Sequence, residues 1–208
     1  MFDNFRTKFK ISANNAGEGF ALLESAPSVT GFAEFMGEFS GCTFNDGLYR
    51  VHTAASSRDL TPLVIEQFPK FKGRILPFGY DWIGRQFAVD FGRRENGEPL
   101  VLLLEADTGD ALGIPQTFMA FHESEIVEYD DALLAELYRE WAGQNPAAIP
   151  LAHDQCVGFR VPLFLGGDDT VDNLEVTNLS VHWSMSAQLW QSTRDLPPGT
   201  SVRDVEIE

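Results

Sequence analysis

Apolar residues near the start of the chain recur at intervals of three and four. Phe2, Phe5 and Phe9 follow this spacing, and so do the apolar residues of the segment 28–39. Such spacing places side chains on one face of a helix, so both segments are predicted to be amphipathic helices. Gly41 follows the second segment at the place where a helix C-terminus is expected.

Short apolar runs and apolar–polar alternation in the middle of the chain predict strands. The segments 74–78, 85–91 and 100–105 show these patterns, and an Asn-Gly turn signal separates the last two. The run 101–104 is apolar at every position, which predicts a strand buried on both faces. We therefore expect the three segments to be neighbours in one sheet.

Three further segments, one before the strands and two after them, are candidates for helices. One covers 57–68, and another is predicted to begin with Asp130 or Asp131 as its N-cap and to end at Gly143. The segment 179–189 fits two patterns, because its strict alternation indicates a strand while its larger apolar residues also share a helical face. Good helix formers at its end favour the helix slightly.

The order of the elements predicts the fold class. Helices precede and follow the strands, which is typical of an α+β fold with a central, mainly antiparallel sheet flanked by helices. We expect one domain over 1–208, with an N-terminal helix and loop at 1–28, a core at 29–196 and a tail at 197–208.

Acidic residues outnumber basic ones by 31 to 15, which gives a formal net charge of -16. Nucleic-acid binding requires a basic surface, and an anionic membrane would repel this chain, so neither partner is expected. A basic protein would be attracted, and the field would accelerate its association. An equally open explanation is that the acidity only keeps the protein soluble.

The two cysteines, Cys42 and Cys156, are far apart in sequence, as is usual for free thiols in a reducing compartment. The first residues lack the apolar core of a signal peptide, and the run 100–104 is too short to cross a bilayer. We therefore expect a cytoplasmic protein that is a monomer or a weak oligomer.

No catalytic or metal-binding motif stands out in the sequence. The four histidines are scattered singly without ligand spacing, and no G-x-S-x-G nucleophile motif is present. Neither cysteine lies in a recognisable catalytic context. We therefore expect no enzymatic activity, no cofactor and no metal site.

Two acidic clusters without interleaved lysine or arginine are candidates for binding a cationic partner. Glu123, Glu125 and Glu128 belong to the first cluster, and Asp168 and Asp169 to the second. The first cluster has a competing explanation, since negative charge is also favourable at a helix N-terminus.

A predicted turn at 79–84 contributes two further candidates, Asp81 and Trp82. Because turns lie at the surface, Trp82 is expected to be at least half exposed, or to line a shallow groove beside Asp81, and to anchor a partner. The alternative is a tryptophan folded back into the core.

Several of these segments resemble a known bacterial family, the Tdi-type immunity proteins of type VI secretion. The resemblance spans about residues 30–195 and draws most strongly on GLYRVH and FKGRILPFGYDWIGRQFAVD, at 47–52 and 71–90. The segments 105–115 and 161–167 and the Phe-His pair at 121–122 also resemble it. This family is distantly similar to the SUKH superfamily.

The resemblance implies an immunity protein that neutralises a cognate secreted toxin, of the DNase type, by direct binding and without catalytic residues. Fuller members of the family carry an additional N-terminal domain, and the first 30 residues are expected to be too few for one. Two alternatives remain open. One is a stand-alone regulatory or scaffold protein of the same fold, and the other is a small-molecule binder or enzyme with a pocket near Tyr80–Trp82.

Overall fold

Seven strands follow one another in chain order across one antiparallel sheet. The computed structural model describes residues 1–15 and 28–196, so the predicted tail and most of the predicted N-terminal loop lie outside it. The strands are β1 Ile11–Asn14, β2 Cys42–Phe44, β3 Tyr49–Val51, β4 Ile75–Asp81, β5 Gln86–Glu95, β6 Glu98–Leu104 and β7 Ala111–Thr117. A separate antiparallel pair consists of β8 Gln155–Phe159 and β9 Leu174–Asn178.

Helices cover both faces of the seven-stranded sheet, which confirms the predicted α+β class. They are α1 Asp3–Lys8, α2 Phe32–Phe39, α3 Ala54–Gln67, α4 Phe118–Ala120, α5 Ile126–Glu128, α6 Ala135–Gln144 and α7 Leu179–Thr193. A π-helical turn, Phe121–Glu125, joins α4 to α5. Short 3-10 turns occur at Asn45–Gly47, Pro69–Phe71, Asp130–Leu133, Pro146–Ala148, Leu163–Leu165 and Val171–Asn173.

The three predicted strands are neighbours, as β4, β5 and β6. Val101 and Leu103 face the larger core cluster while Leu102 and Leu104 face the smaller one, so the run is buried on both faces as predicted. The predicted turn is too long, because β4 continues to Asp81 through pairing with β3 and β5.

One face of the sheet is packed with aromatic side chains from α1, α2 and the π-helical turn. The Phe5 ring lies 5.1 Å from Phe35 and 5.6 Å from His122 between ring centroids. His122 Nδ1 donates to the Phe118 carbonyl at 2.9 Å, so its Nε2 accepts from the Tyr49 hydroxyl, also at 2.9 Å. Burial lowers the pKa of His122 to about 3, so this imidazole is neutral.

The other face is covered by α3 and α7, and α7 confirms the slight preference for a helix at 179–189. Its buried side chains, Leu179, Trp183 and Ala187 among them, face the sheet. The misleading alternation arises because Val181 and Met185 are 48% and 55% exposed, so apolar residues occur on the solvent side as well.

The predicted N-cap at Asp130 or Asp131 is wrong. Both residues lie in a 3-10 turn, and Leu134 adopts a left-handed conformation (φ 51°) before α6 begins at Ala135. The Asp130 carboxylate instead pairs with Lys8 at 2.8 Å and with Arg139 at 3.2 Å.

Candidate partner-binding surface

Trp82 is a core residue, so the expectation that it would be exposed is wrong. Its side chain has 0% exposure, and its Nε1 donates to the Leu133 carbonyl at 3.1 Å. The indole lies 5.4 Å from the Tyr138 ring and 5.9 Å from Trp141. The connection from β4 to β5 is therefore packed against α6, and Trp82 itself does not reach the surface.

Asp81 is also buried and organises the connection between β4 and β5. Its Oδ1 accepts from the backbone N–H of Ile83 at 3.2 Å and of Arg85 at 3.0 Å, while Oδ2 accepts from Arg85 Nε at 2.6 Å. Burial raises the pKa of the Asp81 carboxyl, and the Arg85 guanidinium opposes this rise. Asp81 and Trp82 therefore offer a partner no surface, and they support the site from within.

Arg85 carries this buried network outward to the base of a groove. Its guanidinium also pairs with Glu105 Oε1 at 3.2 Å and donates to the Ala132 carbonyl at 2.9 Å. The Arg85 side chain is only 11% exposed. Its charge is thus committed to neighbouring carboxylates and a carbonyl.

The groove has a volume of about 200 Å³ and lies where the β4–β5 and β6–β7 connections meet α6 and the segment after β8. We call it the acidic groove. Its apolar lining comes from Ile83, Ala106, Leu134, Leu137, Phe159 and Leu163. Its charged lining consists of Glu105, Asp107 and Asp169 together with the already paired Arg85. The groove therefore combines an apolar wall with an excess of negative charge.

Asp107 is a buried carboxylate in this lining with one oxygen that lacks a partner in the described part of the chain. The residue is 7% exposed, and its Oδ2 lies 3.1 Å from His182 Nε2 on α7. Its Oδ1 has no hydrogen-bond partner among the residues that the structure describes. A buried acceptor without a partner is uncommon, because leaving it unpaired costs free energy.

The structure brings together only some of the predicted binding residues. Asp169 lines the acidic groove, and Asp168 is exposed next to it in sequence. The first acidic cluster belongs to another part of the surface, beside α1 and β7. There Glu123 Oε1 accepts from the Phe5 N–H of α1 at 3.4 Å, and Glu125 Oε2 accepts from Gln116 at 3.3 Å. Glu128 is exposed.

Sequence reasoning missed Glu105 and Asp107. The available signal was their position directly after the buried strand β6, where the chain leaves the sheet. Polar residues at such ends are well placed to line a surface groove.

A second cavity of about 170 Å³ lies beside Tyr80 and includes His52 and His153, but not Trp82. His52 Nε2 lies 2.8 Å from Gln86 Oε1, and burial lowers the pKa of His52 to about 3. Small-molecule sites usually have volumes of about 300–1,000 Å³, so both cavities are small for such ligands.

Cys42 and Cys156 are both free and buried, and burial raises the pKa of each thiol. Within 1–15 and 28–196, no cluster of His, Cys, Asp and Glu side chains has the arrangement needed to hold a metal ion. None of the helices in these same ranges combines the length and apolarity that spanning a membrane requires.

A segment that includes much of this surface matches a known protein family. Residues 115–190 match the family described as "T6SS immunity protein Tdi1, C-terminal". This segment is similar to the Tdi-type immunity family. The Tdi-type segment is shorter than the resemblance at 30–195 and excludes the motifs at 47–52 and 71–90. It does include α6, β8, β9 and most of α7, and with them the groove residues from Leu134 to Asp169.

A solved structure has the same fold over nearly the whole chain. It is described as "Crystal structure of Atu4351 from Agrobacterium tumefaciens", and it superposes with a TM-score of 0.57 over 90% of this chain and 89% of that chain. The two sequences are 12% identical, so the likeness concerns the fold alone. No curated protein sequence matches the chain.

Proposed function

We propose that this protein is a non-catalytic immunity protein that neutralises a cognate secreted toxin, of the DNase type, by binding it directly. The observation that carries the proposal is the Tdi-type segment at 115–190. The protein acts in the cytoplasm of the producing cell, as a monomer or weak oligomer, before the toxin reaches DNA.

Charge complementarity supports a nuclease with a basic surface as the partner. A nuclease needs a basic face to bind DNA, because neutralisation of phosphates dominates that affinity. This chain has a formal net charge of -16, so it would be attracted to such a face and could compete with DNA for it.

The proposal is tested with the product of the adjacent gene, which is expected to be the toxin. Cells that express the toxin are expected to survive only when this protein is co-expressed, and the two purified proteins are expected to form a stable complex. Absence of both protection and binding would refute the immunity function. Binding to a different protein without protection would instead favour the regulatory or scaffold alternative.

Association with the toxin is expected to slow as salt concentration rises, while dissociation changes less. Exposed charges steer the encounter at long range, and this attraction is screened beyond about 8 Å at physiological ionic strength. Charge reversal at the exposed Asp168 and Glu128 is expected to lower the association rate without unfolding the protein, since such surface changes cost about 0.5 kcal/mol or less. Stopped-flow association at several salt concentrations measures both effects, and an association rate independent of salt would exclude electrostatic steering.

A further inference from the structure

We infer that the acidic groove receives one lysine or arginine side chain of the toxin, so that this contact anchors the complex. The inference rests on the proposed function and specifies which surface of the protein binds the toxin.

The lining of the groove matches both parts of a long basic side chain. Leu137, Phe159 and Leu163 provide apolar surface for the aliphatic stem. Asp107 and Asp169 provide carboxylates for the cationic head. Lysine and arginine bury their stems against apolar surface while their charged ends seek polar partners, and arginine is enriched among the residues that dominate interface energies.

The charge of the groove selects a cation over an anion. Its only basic lining residue, within the part of the chain that the structure describes, is Arg85. Arg85 already pairs with Asp81 at 2.6 Å and with Glu105 at 3.2 Å. An incoming carboxylate or phosphate would therefore meet the carboxylates of Asp107 and Asp169, whereas an ammonium or guanidinium group would form charge-assisted hydrogen bonds with them.

The burial of Asp107 supports the inference independently of the number of acidic residues in the groove. The residue is 93% buried, lines the groove and leaves Oδ1 without a partner among the described residues. The other oxygen lies 3.1 Å from His182 Nε2. A cationic group that enters the groove would lie beside this buried carboxylate and add favourable charge to it, which makes binding more favourable than beside an acid that is already paired.

The size of the groove favours a side chain over a free ligand. About 200 Å³ is less than the volume that small-molecule pockets usually have, and the groove is partly open to the surface. A groove of this size suits a single anchor residue at the centre of a larger protein interface.

The test measures the affinity of the adjacent-gene toxin for groove variants. The double variant Asp107→Asn/Asp169→Asn keeps the size of both side chains and removes their charge. It is expected to weaken binding about 30-fold or more, mainly through faster dissociation, because a desolvated charge pair is lost. Glu66→Gln removes the same kind of charge from the exposed surface of α3 and is expected to change affinity less than about threefold.

Additional measurements keep the inference testable if the double variant unfolds. Leu163→Trp, which fills the groove without changing charge, is expected to weaken binding as well. Each variant is compared with the wild type by its unfolding midpoint. A double-mutant cycle between Asp169→Asn and substitutions of the toxin's basic residues is expected to show coupling at one of them.

The outcomes separate the inference from the proposed function. If the wild type binds the toxin and folded groove variants bind as tightly, the groove is not the anchor and the immunity function stands. If the effect of Asp169→Asn is additive with the effect of substituting every basic residue of the toxin, the inference is contradicted in the same way. If the wild type itself neither binds nor protects, the proposed function fails and the inference fails with it.

Discussion

Replacing Trp82 with alanine is expected to lower the free energy of unfolding by about 3–5 kcal/mol, the range for large-to-small changes in a packed core. The substitution would leave a cavity between Tyr138 and Trp141 and remove the donor to the Leu133 carbonyl. Urea denaturation measures the loss, which is large against the total stability of an ordinary domain.

Trp190→Ala is the matched control for this prediction. Trp190 is only half-buried and makes an edge contact with Phe164 at 5.2 Å, so its removal is expected to cost clearly less than the removal of Trp82. A loss below about 1 kcal/mol for Trp82→Ala, accompanied by lost toxin binding, would restore the surface-anchor interpretation.

The burial of Trp82 could not be predicted from the sequence. The residues 79–84 carry a genuine turn signal, and a chain reversal between β4 and β5 does occur there. Local residues determine the reversal, but α6, more than fifty residues later, determines whether it is covered. Burial of a turn is a tertiary property, and neither periodicity nor turn propensity reports it.

Some strands could be predicted from the sequence and others could not, depending on the residues within and beside each strand. β5 and β6 form a hairpin with a short turn, so their pattern and their pairing could be read together. β7 contains Gly113 and Pro115 within the strand and was not predicted. It lies at the end of the strand order, where a proline is tolerated because one side of the strand has no ladder to break.

The segments with the strongest sequence resemblance lie in the interior of the fold. Tyr49 bonds to buried His122, and the Arg50 guanidinium donates to the carbonyls of Asp81 and Ala152. Arg85 is held by Asp81, as described above. These side chains hold β3, β4 and the loop before β8 together, so they stabilise the fold.

Acidification is expected to destabilise the protein before its carboxylates titrate. Burial lowers the pKa of both His52 and His122 to about 3, against 6.5 for the unfolded chain. The unfolded state therefore binds more protons between these values, so the stabilisation is complete above about pH 6.5 and is lost as pH falls toward 3. From pH 7 to pH 5 the two histidines together are expected to remove about 4 kcal/mol, at about 1.4 kcal/mol per pH unit and proton.

Urea unfolding between pH 7 and pH 5 measures this loss and isolates the histidines, since the carboxyl groups of the unfolded chain titrate mostly below this window. His52→Gln and His122→Asn keep a donor near Nε2 and Nδ1 respectively, the atoms that face Gln86 and Phe118. The double variant is expected to be less stable at pH 7 but to have a much flatter pH dependence. The slope that remains is expected to come from His153, whose pKa is also lowered by burial. A double variant with the full wild-type slope would show that the buried imidazoles are not the source of the acid sensitivity.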